Sequence, residues 1–109
     1  MSWRIPRARP QAKRNKSYAY PNPFSPEISP NGVRFEYDKT GLDPGTRLTI
    51  RIYDFALDLV ATVVKNARLD QMIFWNGISN SGKRVANGTY IYTIIAGNEQ
   101  FWGKVTVRN

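Results

Sequence analysis

Apolar and polar residues alternate with a period of two along most of the chain beyond residue 32. This period places neighbouring side chains on opposite faces of an extended chain, so each alternating segment predicts a half-buried β-strand. Six segments show this alternation or the β-branched and aromatic composition typical of strands: 33–38, 48–53, 59–64, 72–75, 89–95 and 101–108. The segment 89–95 is almost continuously apolar and therefore predicts a central strand.

Turn residues separate these segments where hairpins need them. Asn and Gly tolerate the positive φ angles of tight turns, and Pro fixes the first position of many others. The turn signals are Asn31-Gly32, Asp43-Pro44-Gly45, Asn76-Gly77, Asn87-Gly88 and Gly97-Asn98. No window predicts a helix of ten residues or more. The pattern indicates an all-β protein, an immunoglobulin-like antiparallel β-sandwich of about seven short strands.

The first 32 residues differ from the rest because they contain six of the seven prolines. Proline fixes its own φ, lacks an N–H group and favours extended geometry in the preceding residue. We therefore expect an extended, irregular stretch that lies against the sandwich without pairing fully into a sheet. The predicted boundaries are a basic arm at 1–19 and a sandwich at 20–109, with a proline-rich opening segment at 20–32.

The net charge of +8 is concentrated in the arm. Residues 1–16 carry six basic side chains and no acidic one, whereas the remaining residues carry ten bases and eight acids. Cations interleaved with aromatic rings suit an acidic protein partner, and an anionic membrane surface or single-stranded nucleic acid are further candidates. The predicted partner-binding residues are Trp3, Arg4, Arg7, Arg9, Lys13, Arg14, Lys16, Tyr18, Tyr20 and Phe24.

Candidate catalytic chemistry is sparse. The chain has no His and no Cys, which excludes Ser-His-Asp and Cys-His catalysis and the usual zinc, haem and iron–sulfur ligands. Residues 77–83 fit the pattern G-x-x-x-x-G-K, but Arg84 follows where a phosphate-binding loop has Ser or Thr, so a turn is expected. Asp54 and Asp58 are expected to cap a turn. We predict no enzyme activity, no cofactor, no metal and no small-molecule substrate.

The sequence leaves the compartment open. It contains no apolar segment of the roughly 20 residues that a membrane-spanning helix needs. No apolar run follows the N-terminal charges, as it would in a signal peptide. If Met1 is the native start, we expect a protein in the cytoplasm or at the periphery of a membrane. If the sequence is a C-terminal fragment, we expect the outer membrane, the cell surface or the medium.

The order of motifs along residues 20–108 resembles the type A C-terminal sorting domains of the bacterial type IX secretion system. The same pattern occurs in the immunoglobulin-like domain of the flagellar hook-capping protein, so the segment resembles a FlgD-like immunoglobulin fold. The matching segments are Tyr20-Pro21-Asn22-Pro23-Phe24, Ile50 to Asp54, Trp75-Asn76-Gly77, Gly82 to Tyr92 and Gly103 to Val107. Within them, the residues that define the fold motif are Pro21, Asn22, Pro23, Tyr53, Asp54, Trp75, Gly77, Gly82, Gly88, Tyr90 and Tyr92.

The resemblance implies a non-catalytic interaction module in one of two settings. One is a sorting domain recognised by the type IX machinery, and the other is an accessory or structural subunit of a larger bacterial assembly. Ala56 departs from the family, which usually has Gly two residues after the Tyr-Asp pair, so a different turn is expected there. The alternative from another class is a small basic nucleic-acid-binding protein that acts through its arm.

Overall fold

The computed structural model describes residues 17–108 and shows two antiparallel β-sheets packed face to face. Its seven strands are β1 (Ser17–Tyr20), β2 (Val33–Tyr37), β3 (Arg47–Tyr53), β4 (Leu59–Arg68), β5 (Phe74–Trp75), β6 (Gly88–Ala96) and β7 (Glu99–Val107). One sheet has the order β1-β2-β5 and the other β4-β3-β6-β7. The predicted all-β immunoglobulin-like sandwich is confirmed. Within the described range, no helix could cross a membrane.

Strand β6 is central, as its apolar sequence predicts. It pairs with β3 on one side and with β7 on the other, in regular antiparallel register. The β3–β4 pairing is less regular, with three register shifts, and Asn66 of β4 adopts a positive φ of 58°. Such irregularities increase local twist and are common at sheet edges, where β4 lies.

The core lies between the sheets and is rich in aromatic residues. The rings of Phe35 and Tyr92 are 5.2 Å apart, and those of Trp75 and Tyr90 are 6.1 Å apart. Two of the rings have hydrogen-bonded polar tips: Trp75 Nε1 donates to the Ile78 carbonyl at 3.0 Å, and the Tyr90 hydroxyl donates to the Ala86 carbonyl at 2.6 Å. Trp75, Tyr90 and Tyr92 thus fill the core, as expected of large rings with hydrogen-bonded tips.

The N-terminal boundary of the sandwich requires correction. Residues 17–19 were predicted to belong to the arm, but Ser17–Tyr20 forms strand β1 and pairs with β2 over all four residues. Ala19 is buried, and the Ser17 hydroxyl lies 3.1 Å from the Tyr92 hydroxyl. The local sequence of four residues next to a proline is a weak strand signal. Pairing with β2, more than a dozen residues away, decides the conformation.

The proline-rich opening segment lies against the edge of β7. Residues 21–23 form a bend rather than the extended course predicted, and the peptide bonds before Pro21 and Pro23 are cis. The Asn22 side chain donates to the Lys104 carbonyl at 3.0 Å and accepts from the Thr106 amide at 3.0 Å. Phe24 then forms a parallel bridge with Val107. The expectation that this segment lies against the sandwich is confirmed.

Gly32 shows why the turn before β2 requires glycine. Its φ is 101°, and a Cβ atom there would lie 2.5 Å from the backbone oxygen of Trp75. Both the positive φ and this close approach exclude a side chain. Gly32 therefore allows β2 to begin directly beside β5.

Candidate protein-interaction surface

The predicted partner-binding residues fall on both sides of the boundary of the described structure. Seven of them lie outside the described residues: Trp3, Arg4, Arg7, Arg9, Lys13, Arg14 and Lys16. Tyr18, Tyr20 and Phe24 lie within it, and the structure separates these three.

Phe24 is in the core and is not available to a partner, so this part of the prediction is wrong. Its side chain is fully buried, and its ring lies 6.3 Å from that of Trp75. Its backbone donates to the Thr106 carbonyl at 2.7 Å and accepts from the Arg108 amide at 2.8 Å. The bend at residues 21–23 turns the ring inward. The sequence gives no strong signal for this bend, because a Phe after a proline fits a surface contact equally well.

Tyr18 and Tyr20 lie on the outer face of the three-stranded sheet. Their side chains are 56% and 60% exposed, because Ala19 between them takes the inward position. Tyr18 pairs with Glu36 and Tyr20 pairs with Arg34 in the antiparallel register. Both rings therefore stand beside charged residues of β2 and are exposed.

Arg34 organises this face. Its Nε atom lies 2.9 Å from Glu36 Oε2, and its guanidinium carbon lies 5.7 Å from the centre of the Tyr20 ring. On the other side it pairs with Phe74 of β5, which is 43% exposed. We call this surface the aromatic face; it consists of Tyr18, Tyr20, Arg34, Glu36 and Phe74.

The composition of the aromatic face is typical of protein interfaces. Tyr, Phe and Arg are enriched in interface cores, where their rings and guanidinium groups supply contact area at low entropic cost. The partly exposed Arg34–Glu36 ion pair contributes little stability of its own, since ion pairs near the surface are worth about 0–1 kcal/mol. Its effect is to hold the guanidinium between two exposed rings. Sequence reasoning missed Arg34 and Phe74 because only the sheet register brings them beside Tyr20.

The Tyr53-Asp54 pair of the fold motif begins a hydrogen-bonded turn. Asp54 Oδ1 accepts from the Ala56 amide at 2.9 Å and from the Asp58 amide at 3.0 Å. The Asp54 amide also donates to the Asp58 carbonyl at 2.9 Å. The prediction that Asp54 caps a turn is confirmed.

Residues 77–83 form a turn, as predicted, and not a phosphate-binding loop. The Ser79 amide donates to the Lys83 carbonyl at 2.8 Å, and the Val85 amide donates to the Gly77 carbonyl at 2.9 Å. Gly82 has a φ of 86° inside this hairpin. A phosphate site of this class needs a helix N-terminus after the loop, and here an extended segment with an Ile78–Arg84 bridge follows.

Other acidic groups of the described range are dispersed. Asp38 Oδ1 accepts from the Thr40 amide at 2.9 Å, and Asp70 forms a bidentate pair with Arg68 at 3.1 Å. The hydrogen bond with Arg68 lowers the pKa of Asp70. Across residues 17–108 no group of three acidic residues comes together in a way that would hold a metal ion.

Comparison with known proteins shows a likeness to a solved structure. No family model and no curated protein matches the chain. The fold is similar to a crystal structure of dimeric latent PorU from Porphyromonas gingivalis, with a TM-score of 0.56 and 24% sequence identity. The match covers 84% of this chain and 9% of that one. The likeness shows the fold, and the chain corresponds to a small part of the larger protein.

Proposed function

We propose that the protein is a non-catalytic interaction module of the FlgD-like immunoglobulin type, whose aromatic face binds another protein. The exposed rings of Tyr18, Tyr20 and Phe74 around Arg34 carry this proposal. The five residues cover less than the roughly 800 Å² that each partner contributes to a standard interface. The adjoining residues 1–16 supply the remaining contact area in this proposal, and their six charges favour an acidic partner.

The proposed setting is either a type IX sorting domain or a subunit of a larger bacterial assembly. The order of motifs from Tyr20 to Val107 supports the first setting, and the likeness to one part of the longer PorU chain is consistent with it. The basic arm ahead of β1 supports the second, because an arm that adjoins an exposed face extends the surface for a partner.

A secretion experiment separates these settings. The 109-residue chain is fused to the C-terminus of a reporter that carries a signal peptide, in a bacterium that possesses a type IX system. A sorting domain brings the reporter to the cell surface or the medium, and a matched strain without the system retains it. Retention in both strains would reject the sorting role.

A co-purification experiment tests the aromatic face itself. We expect the double variant Tyr18→Ser with Tyr20→Ser to lose its partner in pull-downs from the source organism. Ile28→Ser is the matched control, because Ile28 is 83% exposed but lies in the loop between β1 and β2. Equal recovery of the partner with the double variant and with the control would reject this face as the binding surface.

Nucleic-acid binding is the alternative function. The exposed rings of Tyr18 and Tyr20 directly after the basic arm favour it, because such rings stack on bases while cations follow the phosphates. This alternative predicts binding to a single-stranded oligonucleotide that weakens steeply with salt, with a slope set by at most about six phosphate contacts. Binding that deletion of residues 1–16 leaves unchanged would exclude it.

A further inference from the structure

A shallow groove crosses the outer face of the four-stranded sheet, on the opposite side of the sandwich from the aromatic face. Its volume is about 420 Å³. The main side chains around it are Tyr53, Leu57, Ile91, Thr93, Ile95 and Trp102. An antiparallel sheet that faces water normally presents polar residues on its outer side. Strand β6 presents Ile91 and Ile95 there, so this face is more apolar than exposure to water alone explains.

The turn between β3 and β4 builds one wall of the groove. Leu57 has a φ of 70°, and its side chain is 65% exposed. A bulky residue is uncommon in this left-handed region because its Cβ crowds the backbone. The Leu57 amide donates to the Asp54 carbonyl at 2.8 Å, and the two hydrogen bonds to Asp54 Oδ1 fix the flanking residues. The turn thus holds an exposed apolar side chain in place over the sheet.

The strand residues nearest the groove carry basic charges on this face, while the nearby acidic residues are Asp58, next to Leu57 in the turn, and Asp70, which is paired with Arg68. In the sheet register Arg51 lies beside Thr93, and Lys104 lies beside Ile91, so both cations border the groove. Arg47 lies opposite Arg68 in the register further along the same face, and the Arg68 charge is paired with Asp70. The strands of this face, as far as the structure describes them, contribute no acidic side chain to its outer side. Such a surface is complementary to a partner that carries carboxylates.

The size of the groove indicates what kind of partner fits. It spans three strands and three rows of side chains, which corresponds to roughly 10 by 14 Å. This footprint is far below the roughly 800 Å² per partner of a standard interface, so a second copy stacked face to face would be held weakly. A concave surface also suits inserted side chains better than the flat surface of a bilayer. Both points favour a short peptide segment.

We propose that this groove binds a short segment of a partner protein in which apolar side chains are flanked by carboxylates. The apolar side chains lie between Leu57 and Trp102, and the carboxylates reach Arg51 and Lys104. The Thr93 hydroxyl lies buried at the floor of the groove and has no hydrogen-bond partner there. This site is separate from the aromatic face, so either surface can fail its test without affecting the other.

The test uses the full chain, labelled with ¹⁵N, and a synthetic nine-residue peptide. The peptide has three apolar residues at alternate positions, flanked at each end by two glutamates. We expect chemical-shift changes at Ile91, Thr93 and the Trp102 indole. A peptide with lysines in place of the glutamates should bind at least about tenfold more weakly. Equal binding of the two peptides, or changes located elsewhere, would overturn the proposal.

Three variants test the residues of the groove. Leu57→Asn introduces a residue that tolerates positive φ but removes the apolar wall of the groove. It should weaken binding of the acidic peptide about tenfold. Arg51→Gln combined with Lys104→Gln should remove the difference between the acidic and basic peptides. Ile28→Ser, in the loop between β1 and β2, should bind normally. The unfolding temperature of each variant confirms that it is folded.

Two competing occupants give distinct results. Leu57-dependent binding to phosphatidylserine vesicles without peptide binding would overturn the proposal in favour of a membrane. Leu57-dependent dimerisation in sedimentation would overturn it in favour of a second copy.

Discussion

The two edges of the four-stranded sheet are both closed by an asparagine, but in different ways. At the β7 edge, Asn22 uses both ends of its side-chain amide, which bonds to the Lys104 carbonyl and the Thr106 amide. At the β4 edge, Asn80 accepts from the Thr62 amide with its side chain, at 3.0 Å, and donates to the Val60 carbonyl with its backbone, at 2.9 Å. Each asparagine makes two hydrogen bonds to backbone groups of the edge strand, as a neighbouring strand would.

The difference between the edges lies in what anchors each asparagine. Asn22 lies two residues before Phe24, whose ring is fully buried in the core. Asn80 lies in an exposed turn, and β4 has the register shifts that make an edge a poor template for other strands. The comparison teaches that one edge is closed by core packing and the other mainly by local irregularity. Unpaired edges favour aggregation, so both devices keep the chain from pairing with others.

Truncation of Phe24, which anchors the segment at the β7 edge in the core, should have the largest effect on stability. We expect Phe24→Ala to lower the free energy of unfolding by about 3–5 kcal/mol, because it removes a buried ring and leaves a cavity. Urea denaturation measures this change. Phe55→Ala is the control, because its ring is 65% exposed and should cost little.

If Phe24→Ala does not fold, Phe24→Leu should still fold and lose less stability, because the substituted side chain keeps most of the volume. Similar losses in Phe24→Ala and Phe55→Ala would contradict the anchoring role.

Substitution of Asn22 tests the β7 edge directly. Asn22→Ala removes two side-chain hydrogen bonds and should cost about 1–2 kcal/mol. Asn22→Asp should retain the bond from the Thr106 amide and lose the bond to the Lys104 carbonyl, so its cost should be intermediate. Amide hydrogen exchange at Thr106 reports the local effect. An unchanged exchange rate in Asn22→Ala would show that Phe24 alone holds this segment.

Substitution of Asn80 should have a smaller effect. Asn80→Ala removes one side-chain hydrogen bond, while the backbone bond to Val60 remains, so a loss of about 0.5–1 kcal/mol is expected. Asn80→Asp keeps the acceptor for the Thr62 amide and should be nearly neutral. Hydrogen exchange at Thr62 is the readout. A loss as large as that of Asn22→Ala would remove the distinction between the two edges.

The smallest of the expected effects is a loss of folding stability at alkaline pH, caused by tyrosines that pack near β7. Burial raises the pKa of Tyr37, Tyr90 and Tyr92 above the ordinary value of 10.0. The folded state therefore favours the protonated hydroxyl. The stability that comes from this preference is complete below pH 10.0, and it is lost as the pH rises through the pKa of the folded state. The unfolding temperature should fall accordingly in alkaline solution.

Tyr92 is one of these tyrosines, and it pairs with Gly103 of β7. A Cβ atom at Gly103 of β7 would lie 2.5 Å from its hydroxyl. Tyr92→Phe should reduce the alkaline loss of stability, and Tyr18→Phe, on the exposed face, is the matched variant. The same pH dependence in Tyr92→Phe as in the native chain would exclude the contribution of this hydroxyl.

The strands were predictable where the signal is local. The alternation in β2 and β3 and the continuous apolar run in β6 identify these strands, because the order of apolar and polar residues indicates whether one or both faces of a strand are buried. The mixture of basic and aromatic residues near the start of the chain predicted Tyr18, Tyr20 and Phe24 as partner contacts, and the structure leaves the rings of Tyr18 and Tyr20 exposed. That prediction failed for Phe24, and it did not find Arg34, Phe74 or the groove beside Trp102. These residues meet only through strand pairing.

The sequence by itself determined the class of fold, the positions of most strands and turns, and the central place of β6. Side-chain periodicity and turn chemistry depend on neighbours in the chain, so these features do not require knowledge of distant contacts. Only the tertiary structure decided that Ser17–Tyr20 pairs into a sheet, that Phe24 turns inward and that Asn22 closes an edge. Each of these depends on groups far away in the chain, such as Lys104 for Asn22, and their free energy is gained only when the two sheets come together.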